Sequence, residues 1–353
     1  IANRTRFQIR AWNFANTGYS NESTPRVVTV EGESNEFEGS IYGDKVCTGI
    51  VTGGDVIYGR LHRVELSEAS DNGVYQLGTT SKLSIGTVVY RGSEEGLVIG
   101  GNGCEIDSYK IVGRSSAAIS MQSGALKITD MRIEGNPEIG SPASILSLRP
   151  GYTAKKIEIG NITGTIWGNT LMNMSPGACR SFRLLSADLE FLYTDDRAGA
   201  ITQWWNLDNA EEIFIQNAKV VIRDIEGDLA GSGSIFEVRL GSQGGAGNKV
   251  TLINPEIYIR NNDGGSVPGN SVRIVRLNRG NFSIQGVKIF TNLSHMVGRE
   301  ANYLGPFVAG VNISNNKPTG TFPIGTTVYR GDGASSPYGW VYTQDGWEDL
   351  TIP

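Results

Sequence analysis

The segment Leu126-Lys-Ile-Thr-Asp-Met-Arg-Ile133 carries the pattern that decides the fold of this chain. Apolar and polar residues alternate along it, Asp130 interrupts the alternation, and the alternation then resumes. A period of two is typical of a half-buried β-strand, and a polar interruption is typical of a bend. The segment therefore predicts a strand, a bend and a second strand.

The same pattern recurs along the chain. Its other clear copies occupy residues 182–189, 213–220, 250–257 and 282–289, with Ser186, Asn217, Asn254 and Gly286 at the bends. A shorter pattern precedes each copy. It consists of an apolar residue followed, three positions later, by a glycine. It begins at Val51, Tyr75, Val98, Met121, Leu148, Met174, Val238 and Leu277, and variants without the glycine begin at Trp205 and Val311.

These paired patterns define a repeat whose copies begin 23 to 39 residues apart, with no helical periodicity between them. A unit of this size cannot bury its apolar side alone, so successive units must stack. We therefore expect an all-β chain folded as a right-handed parallel β-helix over residues 26–316, with rungs about 4.8 Å apart. Residues 1–25 are expected to lead into or cap the first rung. Residues 317–353, with Trp340 and Trp347 in a strand-turn-strand context, are expected to form a small β cap.

Composition and charge exclude several classes of protein. The chain has 353 residues, 47 of them glycine, and a formal net charge of −5. Frequent glycine indicates tight turns between short strands, and the negative charge gives no attraction to nucleic acid. No apolar run reaches the roughly 18 residues of a membrane helix, so we expect no membrane insertion. Cys47, Cys104 and Cys179 are far apart, as are the two histidines, so we expect buried thiols and neither a metal nor a cofactor.

Stacked rungs place corresponding residues in columns. The outward column on the second strand of each repeat is expected to read Arg132, Thr163, Asp188, Lys219, Glu256 and Lys288. Its last four members alternate in sign, which favours a ladder of ion pairs about 4.8 Å apart. Asp188 and Glu190 have a spacing compatible with an inverting glycosidase pair, but the adjacent Lys219 favours the ladder.

The first strand of each repeat predicts an outward column of different chemistry. This column is expected to read Ser120, Ser147, Asn173, Trp204, Glu237 and Arg276, and the column two residues further on includes Asn206 and Arg239. An indole offers stacking area to a sugar ring, and arginines offer forked donors to hydroxyl or carboxylate groups. The alternative is a subunit interface that buries Trp204 and pairs Glu237 with Arg276.

Enlarged loops are expected beside the same late rungs, at residues 194–199, 224–233, 261–271 and 294–305. Long loops on one side of a solenoid often form its binding face. These loops are acidic, with Asp195, Asp196, Asp224 and Asp228 as candidate catalytic residues. Carboxylates on adjacent rungs would lie near the roughly 5 Å of a retaining glycosidase, and those two rungs apart near the roughly 9 Å of an inverting one. Solvated loop charges or a calcium site are the alternatives.

The glycine-punctuated rungs, together with the terminal pattern PIGTTVYRGDG…YGWVYTQDGW at residues 323–347, resemble pectate-lyase-like β-helix proteins. The resemblance is specifically to phage tailspikes that degrade capsule or lipopolysaccharide. It implies an extracellular homotrimer that forms part of a virion tail and binds a bacterial surface polysaccharide on the helix flank or between subunits. Outward apolar positions at Ile145, Leu171, Ile235 and Ile274 would also need cover, which favours the trimer.

The function expected from the resemblance and these residues is endo-acting cleavage of the polysaccharide by a glycoside hydrolase. Glu237 would act as base or nucleophile and one loop carboxylate as acid. The expected substrate-binding residues are Tyr193, Trp204, Asn206, Arg239 and Arg276. Two alternatives stay open: a polysaccharide lyase, in which Arg239 and Arg276 neutralise a uronate, and a non-catalytic glycan-binding adhesin or fibre domain.

Overall fold

A computed structural model describes most of the chain in segments. The described residues are 3–12, 26–30, 35–46, 48–53, 58–76, 82–136, 138–148, 151–167, 171–173, 178–192, 203–206, 210–225, 234–238, 249–261, 272–277, 281–285, 288–291, 296–299, 312–314, 317, 327–330 and 339–350. Every regular element among these residues is a β-strand.

Fourteen strands form the first sheet, in which all pairs are parallel. They are β1 (Asn3–Trp12), β3 (Asn35–Asp44), β5 (Tyr58–Ala69), β7 (Lys82–Gly92), β9 (Cys104–Val112), β11 (Gly124–Glu134), β13 (Thr153–Trp167), β15 (Ala178–Leu192), β17 (Ala210–Gln216), β18 (Ala218–Ile225), β20 (Lys249–Ile253), β21 (Glu256–Asn261), β23 (Asn281–Gln285) and β24 (Lys288–Thr291).

Eleven strands form the second sheet, which is also parallel throughout. They are β2 (Arg26–Val30), β4 (Thr48–Thr52), β6 (Val74–Gln76), β8 (Leu97–Ile99), β10 (Ile119–Met121), β12 (Ser144–Leu148), β14 (Leu171–Asn173), β16 (Gln203–Asn206), β19 (Ser234–Val238), β22 (Val272–Leu277) and β25 (Met296–Arg299). The chain passes from one sheet to the other and returns, so each strand pairs with its counterparts in the preceding and following repeats. The expectation of an all-β fold is confirmed for the described residues, which form long parallel sheets.

The core lies along the inner side of the first sheet and consists of columns of matched apolar residues. One column contains, in successive paired strands, Leu61, Ile85, Ile106, Ile128, Ile159, Leu184, Ile215 and Leu252. Each of these side chains is at most 1% exposed. Full burial of one such side chain contributes roughly 1.5–3 kcal/mol, so the stacking of repeats supplies the main stabilisation.

Bends divide only some strands of the first sheet. Asn217 and Asn254 adopt left-handed φ values of 49° and 50° and separate β17 from β18 and β20 from β21. Asparagine tolerates this conformation better than most residues, and the Asn254 Nδ2 donates to Asn217 Oδ1 at 3.3 Å. At Asp130 and Ser186, β11 and β15 continue without a break. The strand-bend-strand prediction is therefore correct at the two asparagines and too strong at Asp130 and Ser186.

The two ends of the repeat region differ from the prediction. Residues 3–12 of the expected lead-in form β1, which pairs residue by residue with β3. The expected loop at 294–305 contains β25, which pairs with β22 and so takes the place predicted for the variant at Val311. Alternating apolar residues in such a short segment gave too little signal to separate a strand from a loop.

The C-terminal strands form a third sheet of four strands, β26 (Asn312–Ser314), β27 (Thr327–Arg330), β28 (Gly339–Thr343) and β29 (Gly346–Leu350). β26 is parallel to β27, and the other pairs are antiparallel. Trp340 is buried, and Trp347 contacts Tyr342 edge to face with the ring centroids 5.2 Å apart. The strand-turn-strand arrangement predicted around the two tryptophans is confirmed.

The burial of Ile145 removes one reason to expect contacts between subunits. This residue was expected on the outside, where only a partner subunit could cover it, but it is completely buried within the single chain. The pairing of β12 with β14 shifts between Ser144 and Leu146, and this irregularity breaks the simple alternation on which the expectation depended. The side chains of Leu171, Ile235 and Ile274 lie outside the described part of the structure.

Substitutions at two adjacent residues of β11 can test which side of the first sheet is buried and which is exposed. Ile128 is completely buried between Ile106 and Ile159, whereas Lys127 is exposed. We expect Ile128→Ala to lower the free energy of unfolding by about 2 to 5 kcal/mol through lost burial and a residual cavity. Lys127→Ala, the control, should change it by less than about 0.5 kcal/mol. Urea unfolding of both variants measures the difference, and equal losses would contradict the assigned sides.

Candidate functional site

The structure places five of the ten predicted site residues on strands. Trp204 and Asn206 lie on β16, Glu237 on β19 and Arg276 on β22, all in the second sheet. Asp224 lies near the end of β18 in the first sheet. Tyr193, Asp195, Asp196, Asp228 and Arg239 lie outside the described residues, as do most residues of the expected loop wall.

The register of the second sheet brings together Asn206, Glu237 and Arg276. Asn206 pairs with Glu237, and Glu237 pairs with Arg276, so these residues occupy one position on three adjacent strands. The predicted adjacency of Glu237 and Arg276 is thus confirmed. We call this set the second-sheet triplet.

Trp204 does not occupy the position predicted for it. The register of Ser120, Ser147 and Asn173 is confirmed, but Ser120 is only 1% exposed and so is not outward. Asn173 pairs with Asn206. The predicted register at this rung is therefore wrong by two residues, and Trp205 lies beside Met172 and Phe236. A shift of two residues keeps every side chain on the same face, so alternation alone could not distinguish the two registers.

A second register error occurs in the early repeats, where Val98 pairs with Ser120 and Met121 pairs with Ile99. The predicted copies paired Val98 with Met121, one residue away. All three residues of β8 and all three of β10 are buried. Because both sides of these strands are covered, they show no alternation from which a register could be derived.

The register of the predicted outward column of the first sheet is confirmed. Arg132 and Thr163, Thr163 and Asp188, Asp188 and Lys219, Lys219 and Glu256, and Glu256 and Lys288 are neighbours on adjacent strands. The structure shows the expected ion pair at Asp188 and Lys219. Lys219 Nζ lies 3.1 Å from Asp188 Oδ1, and both side chains are about half exposed. An exposed pair of this kind is worth about 0–1 kcal/mol. The ion pair favours a structural role for Asp188 over that of a glycosidase acid.

Turns on one side of the early repeats form a groove that the sequence did not indicate. The groove has a volume of about 720 Å³ and is lined by Glu68, Ala69, Ser70, Arg91, Gly92, Ser93, Val112, Gly113, Arg114, Ser115, Ser116, Glu138 and Ile139. We call it the turn groove. Glu68, Arg91 and Arg114 are separated by 23 residues each, as are Ser70, Ser93 and Ser116. This equal spacing is the signal that could have identified the groove.

A carboxyl group beside the turn groove is electrostatically perturbed. Partial desolvation and the charge of Glu95 raise the pKa of Glu94, while a hydrogen bond from Ser116 opposes the rise. Ser93 Oγ donates to the Ser70 carbonyl at 3.3 Å, which links two neighbouring turns. The groove therefore combines cationic, carboxyl and hydroxyl groups within a few successive turns.

A smaller groove of about 250 Å³ lies at the start of the first-sheet strands and contains Lys82, Lys127, Lys156, Glu105 and Glu158. Lys82 pairs with Glu105 at 3.2 Å, and Lys156 pairs with Glu158 at 2.6 Å. The hydrogen bond from Lys156 lowers the pKa of the Glu158 carboxyl. Because these charges neutralise one another, little remains to attract a charged ligand.

Among the cysteines and histidines that the structure describes, which are Cys104, Cys179 and His62, no catalytic arrangement is present, and Cys47 and His295 lie outside the described residues. Cys104 and Cys179 are buried free thiols, as predicted, and burial raises the pKa of each to about 12. At neutral pH they are therefore unreactive thiols. The Nε2 atom of His62 lies 2.9 Å from Glu38 Oε1, and Arg6 contacts the same carboxylate. Within the described segments, no group of three or more His, Cys, Asp or Glu residues is placed to hold a metal ion.

Comparisons with protein-family models, with curated proteins and with solved structures find no match to this chain. The part of the chain that the structure describes has no helix long and apolar enough to cross a membrane.

Engineered disulfides test the register of the second-sheet triplet. The Cα atoms of Asn206 and Glu237 are paired across adjacent parallel strands and so lie about 4.8 Å apart, within disulfide range. Trp204 is two residues further along, which places its Cα about 8 Å from that of Glu237, beyond the limit of about 7 Å. We expect Asn206→Cys/Glu237→Cys to form a disulfide under mild oxidation.

The matched control is Trp204→Cys/Glu237→Cys, which should stay reduced. Thiol titration of the unfolded proteins and mass spectrometry of peptides detect the bond, with single-cysteine variants to account for the native thiols. A disulfide in the control and none in the Asn206 variant would restore the register predicted from the sequence.

Proposed function

We propose that the first two sheets are the walls of a right-handed parallel β-helix. The support is the strand order, because each sheet receives one new strand per repeat and the chain alternates between the sheets. Parallel strands joined by a crossover are right-handed in about 98% of known cases, since the strands themselves twist to the right. The third sheet would then cap the C-terminal end of the solenoid.

On this scaffold we propose that the chain is an endo-acting depolymerase of a bacterial surface polysaccharide. The observation that carries this proposal is the second-sheet triplet, which places an asparagine, a glutamate and an arginine at one register position on three adjacent strands. A glycan laid across these strands would meet donors for its hydroxyl groups and one carboxylate able to act on a glycosidic bond.

Glu237 is the proposed base or nucleophile, and the acid would be one of Asp195, Asp196, Asp224 and Asp228. Hydrolysis by such a carboxylate pair needs no metal or cofactor, since proton transfer and nucleophilic attack both use the side chains. Asn206, Arg276, Tyr193, Trp204 and Arg239 are the proposed substrate contacts. A lyase is the second candidate, because the alignment of Glu237 with Arg276 would also suit removal of a proton beside a uronate carboxylate.

The proposed setting follows from the resemblance to phage tailspikes. The chain would act outside the cell as part of a virion tail, with capsule, exopolysaccharide or lipopolysaccharide as its substrate. A non-catalytic adhesin or fibre domain that uses the same residues only to bind glycan is the alternative from a different functional class.

The central test is Glu237→Gln, assayed against a panel of purified bacterial surface polysaccharides. We expect the unmodified chain to release new reducing ends from at least one of them and the variant to lose about a hundredfold or more of that rate. Glu212→Gln, which removes an exposed carboxylate on β17 of the first sheet, is the matched control and should retain full activity.

The products separate the alternatives. Ultraviolet absorbance from an unsaturated uronate would select the lyase over the hydrolase. Binding of a polysaccharide without any cleavage would support the adhesin and overturn the depolymerase. Equal activity of Glu237→Gln and the unmodified chain would remove Glu237 from the proposed mechanism.

The proposed assembly is a homotrimer, for which the resemblance is now the main support because Ile145 is buried within one chain. Light scattering coupled to size-exclusion chromatography should return three times the chain mass of 38.0 kDa. A stable monomer at micromolar concentration would contradict this assembly and leave only sites contained in a single chain.

A further inference from the structure

The first repeat leaves its apolar side chains less covered than the repeats that follow it. Ile9 of β1 pairs with Ile41 of β3, and Ile41 pairs with Val64 of β5. Ile41 and Val64 are completely buried, whereas Ile9 is only partly buried against the same core. Phe7 is likewise only partly buried, although it stacks on Phe37, which is 2% exposed. The core is therefore incompletely covered beside β1.

The second sheet ends at the same repeat as the first. β2 is the terminal strand of the second sheet, as β1 is of the first, and the described residues add no further strand beyond either. Val27 and Val30 of β2 are partly buried against the core, as Phe7 and Ile9 are. The stack of repeats thus presents two strand edges at this end, with half-covered apolar side chains along both.

The edge of β1 that faces away from β3 is suited to accept a strand. All ten residues of β1 pair with β3 in an unbroken register. In a parallel ladder, alternate peptide groups point to opposite edges, so about half of those of β1 have no strand partner among the described residues. Proteins usually protect an edge by a short strand, a bulge or a proline, and β1 has none of these.

The pairing of β1 with β3 shows which side chains suit a strand beside β1. The segment contains three arginines and no acidic residue. On the outer side of the sheet, Arg6 Nε lies 3.2 Å from a carboxylate oxygen of Glu38. The Arg10 guanidinium lies 5.5 Å from the centre of the Tyr42 ring. A strand with acidic or aromatic residues outside and apolar residues inside therefore matches β1.

We propose that the free edge of β1 binds an extended segment of another polypeptide as one further parallel strand. The segment places apolar residues beside Phe7 and Ile9, which completes the cover of the core, and acidic residues beside Arg6 and Arg10. The Arg6 side chain is 72% exposed and Arg10 is also exposed, so both can be reached from this edge. Backbone hydrogen bonds supply affinity in such strand addition, and the alternate side chains supply specificity.

The same residues disfavour a second copy of β1 as the partner. Two such strands side by side would bring together only arginines, and like charges on neighbouring strands are destabilising. The strand site lies in the first repeat, whereas Glu237 lies on β19, so the proposal does not depend on the proposed cleavage.

Hydrogen exchange of the full chain, followed by mass spectrometry, tests the proposal. The probe is a synthetic peptide with the sequence NEFEGSIYGD, which is the β3 sequence that already pairs with β1. We expect about half of the β1 amides to exchange fast in the free chain, and 1 mM peptide to slow them about fivefold or more. The same peptide with Glu36→Lys/Glu38→Lys should give no protection. The amides of β5, which is paired on both edges, should be unaffected.

Arg6→Gln/Arg10→Gln should weaken binding of the acidic peptide about fivefold or more, measured by fluorescence anisotropy of the labelled peptide. Arg60→Gln is the matched control, because Arg60 is an exposed arginine on β5. Unchanged exchange of the β3 amides would show that β1 remains in place in the double variant. The proposal is overturned if all β1 amides are protected without peptide, which would show that the chain covers this edge itself. It is also overturned if neither peptide binds, if both bind equally, or if the double variant and the control behave alike.

Discussion

The structure depends on one constraint, which is that a parallel strand sets each residue beside its counterpart in the neighbouring repeat. Residues at equivalent positions of successive repeats therefore form a column that runs across the sheet. The column from Leu61 to Leu252 is aliphatic at each of its eight rungs, and all eight side chains are buried. Because no single repeat could bury such a side alone, the repeats hold together only as a stack.

The same constraint acts on the outer side of the first sheet. Equal charges at one column position would lie about 4.8 Å apart and repel one another. Opposite charges are neighbours in several pairs, as in Asp188 beside Lys219 and Arg6 beside Glu38. Where like charges are neighbours, as Lys110 and Arg132 are, both contact the carboxylate of Glu134. Exposed pairs contribute little to stability, so we interpret this arrangement as relief of repulsion rather than as a driving force for folding.

Much of the fold and part of the candidate site follow from the sequence itself. Alternation with a period of two fixed the strands and the inward positions of β11 and β15, and it correctly paired the whole column from Arg132 to Lys288. It also placed Glu237 beside Arg276. The prediction for β11 and β15 succeeded because one side of each of these strands is buried and the other is more exposed, so the pattern of apolar residues indicates which side faces the core.

Other features could be determined only from the tertiary structure, because the alternation of apolar and polar residues does not distinguish them. Asn206 rather than Trp204 lies beside Glu237. The sequence could not distinguish these two registers, because a shift of two residues leaves every side chain on the same side of the sheet. The pairing of Val98 with Ser120 could not be predicted from the sequence, because strands that are buried on both sides show no alternation of apolar and polar residues. The turn groove also required the structure, since its residues come from turns of separate repeats that only stacking brings together. Local sequence thus determined which residues face inward, and the packing of repeats against one another determined which residues became neighbours.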